Sequence, residues 1–161
     1  MKKRLLLLTL IPCISFAGSF AQMLTGFEKN SEEKVDAVKP NFIVQSIRRG
    51  TDDGNFASTS DAGLVTLQLT RLPEKPQGYT FEIVEGKFED QLFTGEPVTP
   101  AKNVRDKREF TFIWLDGRSQ EQEPFNVKVK ITGISASGSE SEPQYLVLSH
   151  PGVKKSWWKI W

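Results

Sequence analysis

Cysteine and histidine are almost missing from this chain of 161 residues, each present once, as Cys13 and His150. That scarcity puts the common zinc sites out of reach and disfavours nucleophile–base chemistry built on a thiolate or an imidazole. It also rules out a disulfide framework. His150 comes just before Pro151-Gly152, a turn, and reads as an exposed edge residue. Apolar runs are short as well, none approaching the roughly 20 residues that span a bilayer. Nor does charge of one sign dominate: 21 Lys and Arg stand against 20 Asp and Glu. Binding a phosphate backbone needs a clustered positive surface, so nucleic acid is not an expected partner.

What is present begins with Lys2, Lys3 and Arg4, the apolar run Leu5 to Ile11, and two small-residue exits, Ser15-Phe16-Ala17 and Ser19-Phe20-Ala21. This order of charge, apolar run and small residue is a cleaved signal peptide over 1–21, with a mature start near Gln22. Cys13 could mark a lipid attachment, but Pro12 precedes it where lipoprotein signals carry a small residue. Cleavage removes that cysteine and three basic residues, so the mature net charge is 18 − 20 = −2. The expectation is an exported bacterial protein, periplasmic or extracellular at the cell surface. The mature length of 161 − 21 = 140 residues suits one domain with one core.

Residues 22–39 are polar and charged and read as a flexible lead-in, with a short helix around Ser31 to Val38 as an alternative. After Pro40 the pattern turns to short segments of period two, separated by Gly, Pro, Asp and Asn. Strands are expected over Asn41 to Arg48, Leu64 to Leu72, Gly78 to Glu85, Glu109 to Leu115, Phe125 to Ile134 and Gln144 to Leu148, with a seventh near Gln91 to Val98. A long polar loop is expected from Asp52 to near Gly63. In the strand from Phe125, Val127, Val129 and Ile131 alternate with Lys128, Lys130 and Thr132, so one face packs and the other meets water. Glu109 to Leu115 differs, with Phe110, Phe112 and Trp114 on one face but Ile113 and Leu115 on the other, so something should cover its second side. About seven strands without a long helical period predict an all-β fold, a two-sheet antiparallel β-sandwich over 40–150.

The run Leu64-Val65-Thr66-Leu67-Gln68-Leu69, then Gly78-Tyr79-Thr80-Phe81-Glu82-Ile83, then Gly138-Ser139-Glu140-Ser141-Glu142-Pro143, resembles a fibronectin type III or immunoglobulin-like domain. The resemblance covers roughly 40–150. It implies that these segments are the second, third and final strands, with Ser141-Glu142-Pro143 at the start of the last one. Leu69 stands where that family usually carries Trp, and Phe125 stands in place of its corner Tyr.

Carboxylates form two groups of interest. Asp52, Asp53, Asn55 and Asp61 have the oxygens for calcium but not the EF-hand spacing. Glu82, Glu85, Glu89 and Asp90 could supply an acid pair for glycoside hydrolysis, although a solvated strand face accounts for them as well. The tail, 151–161, is more distinctive. Trp157, Trp158 and Trp161 are three of the four tryptophans, set among Lys154, Lys155 and Lys159. Such a mixture suits a partner rim or a membrane interface, or a segment folded back on an open sheet edge. These six side chains are the candidate partner-binding residues. The function expected is a non-enzymatic binding or structural module of the cell envelope, without cofactor or metal, that meets an envelope protein through the sandwich and its aromatic-basic tail. A carbohydrate-binding module and an envelope-associated enzyme are the alternatives, with a glycan or membrane surface as the alternative partner.

Overall fold

The computed structural model describes residues 23–30, 32, 34–51, 59–116 and 122–153. Among them the chain is all-β: eight strands in two antiparallel sheets, facing each other as a sandwich. In chain order these are β1 (Leu24–Gly26), β2 (Phe42–Arg48), β3 (Ala62–Leu69), β4 (Gln77–Glu85), β5 (Val98–Pro100), β6 (Glu109–Leu115), β7 (Phe125–Ser135) and β8 (Gln144–His150). One sheet has the order β1-β5-β4-β7-β8, the other β2-β3-β6.

Alternation along each strand decides which side chains enter the space between the sheets, because successive residues point to opposite faces. Val65, Leu67 and Leu69 enter from β3, Phe110, Phe112 and Trp114 from β6, Tyr79 and Phe81 from β4, and Val127, Val129 and Ile131 from β7; all are buried. Phe42 sits at the centre, edge-on to Tyr79 and Phe110 with ring centroids 5.0 Å away in each case. Edge-to-face geometry places the positive rim of one ring against the negative face of the next, which adds to the gain from burial alone. On the outward face of β7, Lys128 reaches Glu85 at 2.7 Å and Lys130 reaches Glu82 at 3.8 Å, both across the β4–β7 ladder.

This register carries a direct test. Val129→Ala removes methyl groups from a fully buried position and is expected to cost about 1 to 3 kcal/mol. Lys128→Ala removes a solvent-screened ion pair and should cost under about 0.5 kcal/mol. Equal losses in urea titrations would mean that the strand is turned the other way.

In the segment 22–39, expected as a flexible lead-in, the described residues make hydrogen bonds to the sandwich. Leu24–Gly26 forms β1 and pairs with β5. Further along, Asn30 N–H donates to Ala136 O, Val35 N–H donates to Ser137 Oγ, and the Gln77 amide bonds both Val38 N–H and Val38 O. Two glycines make room for this. A Cβ on Gly78 would lie 2.5 Å from the Phe27 side chain, and one on Gly133 would lie 2.8 Å from Val38 O. No helix forms in the described part of Ser31 to Val38. Of the lead-in's few apolar side chains Leu24 packs on the core and Phe27 sits against Gly78, while hydrogen bonds tie Asn30, Val35 and Val38 to the sandwich.

Two smaller differences have simple causes. The strand expected near Gln91 to Val98 is only Val98–Pro100, because Leu92 and Phe93 pack on the core from an irregular connection. The strand expected to reach Leu72 stops at Leu69, ahead of Pro73 and Pro76, and Ala62 and Gly63 are already in β3 rather than in the loop.

At the edges where the two sheets come together, a side chain replaces a strand. Gln144, the first residue of β8, donates its amide to Phe42 O at 2.7 Å and accepts from Phe42 N–H at 2.6 Å. A single amide thus joins the β2 edge of one sheet to the β8 edge of the other.

Candidate functional site

The six residues expected to meet a partner, Trp157, Trp158, Trp161, Lys154, Lys155 and Lys159, all lie outside the described residues. The root from which they extend is described. After β8, Gly152 turns the chain with φ +80°, and Val153 forms an antiparallel bridge with Gln122. Both backbone bonds of that bridge are made, at 3.0 and 2.9 Å. Gln122 is itself pinned, its buried amide donating to Gly50 O at 2.7 Å and to Asp116 O at 3.0 Å.

Beneath the bridge lies a buried ion pair. Arg49 and Asp116 have side chains only 5% and 1% exposed. The guanidinium grips the carboxylate with two parallel bonds, Nε to Oδ2 at 2.7 Å and Nη2 to Oδ1 at 2.6 Å. Such a fork matches carboxylate geometry and is among the stronger hydrogen-bonded pairings available. The remaining capacity is used too: Arg49 Nη1 donates to Glu123 O, and Gly50 N–H donates to Asp116 Oδ2. Trp114 and Phe125 flank the cation, with ring centroids 5.9 and 5.7 Å from its central carbon. His150 stacks on Phe125 and accepts the Gly152 N–H at Nδ1, so it is half-buried and tied to the turn rather than an exposed edge residue. Phe125, lacking a hydroxyl, therefore works here as an aromatic wall.

The carboxylates singled out from the sequence are dispersed. Glu82 and Glu85 are taken up by lysines of β7, and Glu89 lies 3.9 Å from Arg49. Asp61 ends a short 3-10 turn, Thr59–Asp61, whereas Asp52, Asp53 and Asn55 lie outside the described residues. Among the described residues no three His, Cys, Asp or Glu side chains come together as a metal-binding group. The outward side of β6 splits: Ile113 is half-buried, but Leu115 remains 69% exposed next to Asp116 and the root of the tail.

A second feature lies at the opposite end of the sandwich. A groove of about 590 Å³ runs between the chain leading into β2 and the β3–β4 connection. Leu69, Tyr79 and Ser135 are buried beneath it, and Val38 and Leu72 are exposed along it. Burial pushes the Tyr79 phenol up to about 12, against a smaller opposing effect of its hydrogen bond to Gln77, so it stays neutral. Nothing in the sequence marks this groove, because its two walls are 69 − 41 = 28 or more residues apart.

No protein-family model matches this chain, and no curated protein or solved structure is significantly similar to it.

Proposed function

We propose that the chain is an exported, non-enzymatic binding module of the cell envelope, of the fibronectin type III or immunoglobulin-like kind, that meets an envelope protein through its sandwich and its aromatic-basic tail. The observation that carries this reading is the rooted tail. Trp157, Trp158 and Trp161 begin four residues beyond Val153, which is bonded on both sides to Gln122, whose amide in turn donates to the backbone carbonyls of Gly50 and Asp116. Large aromatic side chains started from a fixed base lose less freedom on binding than the same side chains on a loose end, and aromatic residues dominate the energetics of protein interfaces. The family resemblance has its own support. Counting from β2, the Leu64 and Gly78 segments are the second and third strands, and Ser141-Glu142-Pro143 leads into the last, β8.

A pull-down from envelope extract tests the proposal, with the mature chain and a version ended at Val153 as baits. The full chain is expected to capture a discrete partner and the shortened one to lose most of it, with the thermal midpoint nearly unchanged because the bridge to Gln122 is kept. Undiminished capture by the shortened chain would place the contact elsewhere. A large fall in its midpoint would instead show that the tail covers its own sheet.

A further inference from the structure

Residues 87–94, in the connection from β4 to β5, meet the sandwich through side chains rather than through a ladder. Among the described residues the backbone hydrogen bonds around them are local: Leu92 N–H donates to Asp90 O, Gln91 N–H to Asp90 Oδ1 and Glu96 N–H to Thr94 Oγ1. Three apolar side chains supply the hold. Phe88 lies edge-on to Trp114 and Phe125 with centroids 5.3 and 5.0 Å away, Phe93 stacks on Phe81 at 5.6 Å and meets Phe112 edge-on at 4.8 Å, and Leu92 is buried. The one ion pair is long, Glu89 to Arg49 at 3.9 Å, and Glu89 is exposed. Lifting Glu89 away strands no buried charge, because Arg49 keeps its two bonds to Asp116.

Both ends of the segment turn on glycine. Gly86 and Gly95 have φ of +87° and +78°, values that side-chain-bearing residues rarely adopt. Gly86 is closely enclosed, since a Cβ there would lie 2.3 Å from Asn126 O, whereas Gly95 has nothing within 4 Å and sits in open space. Beside that second turn lies a cavity of about 370 Å³, lined by Leu92, Phe93 and Thr94 together with Leu24 and Val98. Core side chains are ordinarily enclosed at close-packed density, and on this side Leu92 and Phe93 are not.

We propose that residues 87–94 form a plug that swings out as one unit between Gly86 and Gly95 while both sheets stay folded, laying open the aromatic floor of Phe81, Phe112 and Trp114. The movement breaks no sheet hydrogen bond among the described residues. It takes only Leu92 out of the fully buried cluster, with Phe88 and Phe93 from its margin. Opening therefore needs less free energy than unfolding, which is the condition for a local unit to open ahead of the whole domain. The device does not depend on the tail or on the identity of a partner.

Native-state proteolysis of the unaltered mature chain is the test. Thermolysin, which cuts before apolar residues, is added in rising urea below the unfolding midpoint, and cuts between Gly86 and Gly95 are followed by mass. When opening and closing are fast relative to cleavage, the rate reports the population of the open form. Cutting at least about tenfold faster than global unfolding allows is expected, equivalent to about 1.4 kcal/mol. Its urea dependence should be well below that of unfolding, because little surface is exposed. Leu92→Ala/Phe93→Ala should raise the rate at least about tenfold further. A second readout needs no protease, since the chain from Gln22 has no cysteine and Leu92→Cys and Val129→Cys each carry a single thiol. The first should be labelled faster than its own global unfolding permits, the second only at the global rate. Cutting and labelling that both follow global unfolding in rate and urea dependence would overturn the proposal. Cutting as fast as in a free peptide of residues 86–95 would overturn it too, because no closed state would then exist.

Discussion

Asp116→Ala is expected to cost about 3 to 5 kcal/mol, the usual loss when one member of a buried pair is removed. The carboxylate accepts from Arg49 Nε, Arg49 Nη2 and Gly50 N–H, so its removal leaves a guanidinium only 5% exposed, with Glu89 at 3.9 Å as its other acidic neighbour among the described residues. A cation in that position must either draw in water or push the end of the sandwich open. Against the usual domain stability of about 5 to 15 kcal/mol, the loss is a large fraction of the whole. The double replacement Arg49→Met/Asp116→Leu should recover much of it, because desolvating both charges offsets most of what their attraction contributes. Urea midpoints at constant slope measure this. A loss under about 1 kcal/mol for Asp116→Ala would mean that water reaches the pair freely.

Phe42→Ala should come close to that loss by a different route, about 3 to 5 kcal/mol from lost burial together with the cavity left behind. The ring is 1% exposed and packs edge-on to Tyr79, Phe81 and Phe110, with centroids between 5.0 and 5.5 Å away. It also lies where the strands of both sheets converge, so its neighbours cannot close the gap without shifting one sheet against the other. Thermal unfolding of the variant gives the value. A loss below about 1 kcal/mol would place Phe42 outside the core, since such a figure is ordinary for surface positions.

Period-two alternation made most strands legible before any coordinates. Glu109–Leu115 has the expected limits, and Val127, Val129 and Leu67 are buried as their spacing requires. That pattern works because it is local: each residue's face follows from its neighbour's. The polar contacts that organise the ends are not local. Arg49 and Asp116 are 67 positions apart, and Gln144 meets Phe42 across 102. In the sequence Asp116 is only the residue after a strand, and Gln144 only a polar strand start; what buries them comes from other strands. What holds the lead-in was illegible for the same reason, as its apolar residues are too few to form an element alone, yet Phe27 fits a slot at Gly78 and the Val38 carbonyl one at Gly133. The tryptophan tail was visible at once from composition. Its root and the groove needed the fold.

The Gln144 amide on Phe42 also bears on how this molecule behaves in a crowd of its own kind. A sheet edge with free backbone groups is a template on which another chain can add a strand, and among the described residues β2 is such an edge, with Ile43 48% exposed beside it. At Phe42 both backbone positions that an incoming strand would need are already occupied by a side chain of the same molecule. Two residues on, the register shift between Val44 and Ser46 breaks the regular spacing that a long ladder requires. A strand arriving at this edge therefore finds neither an open first rung nor an even second one, which works against growth of the three-stranded sheet from the β2 side into the continuous ladders from which fibrils are made.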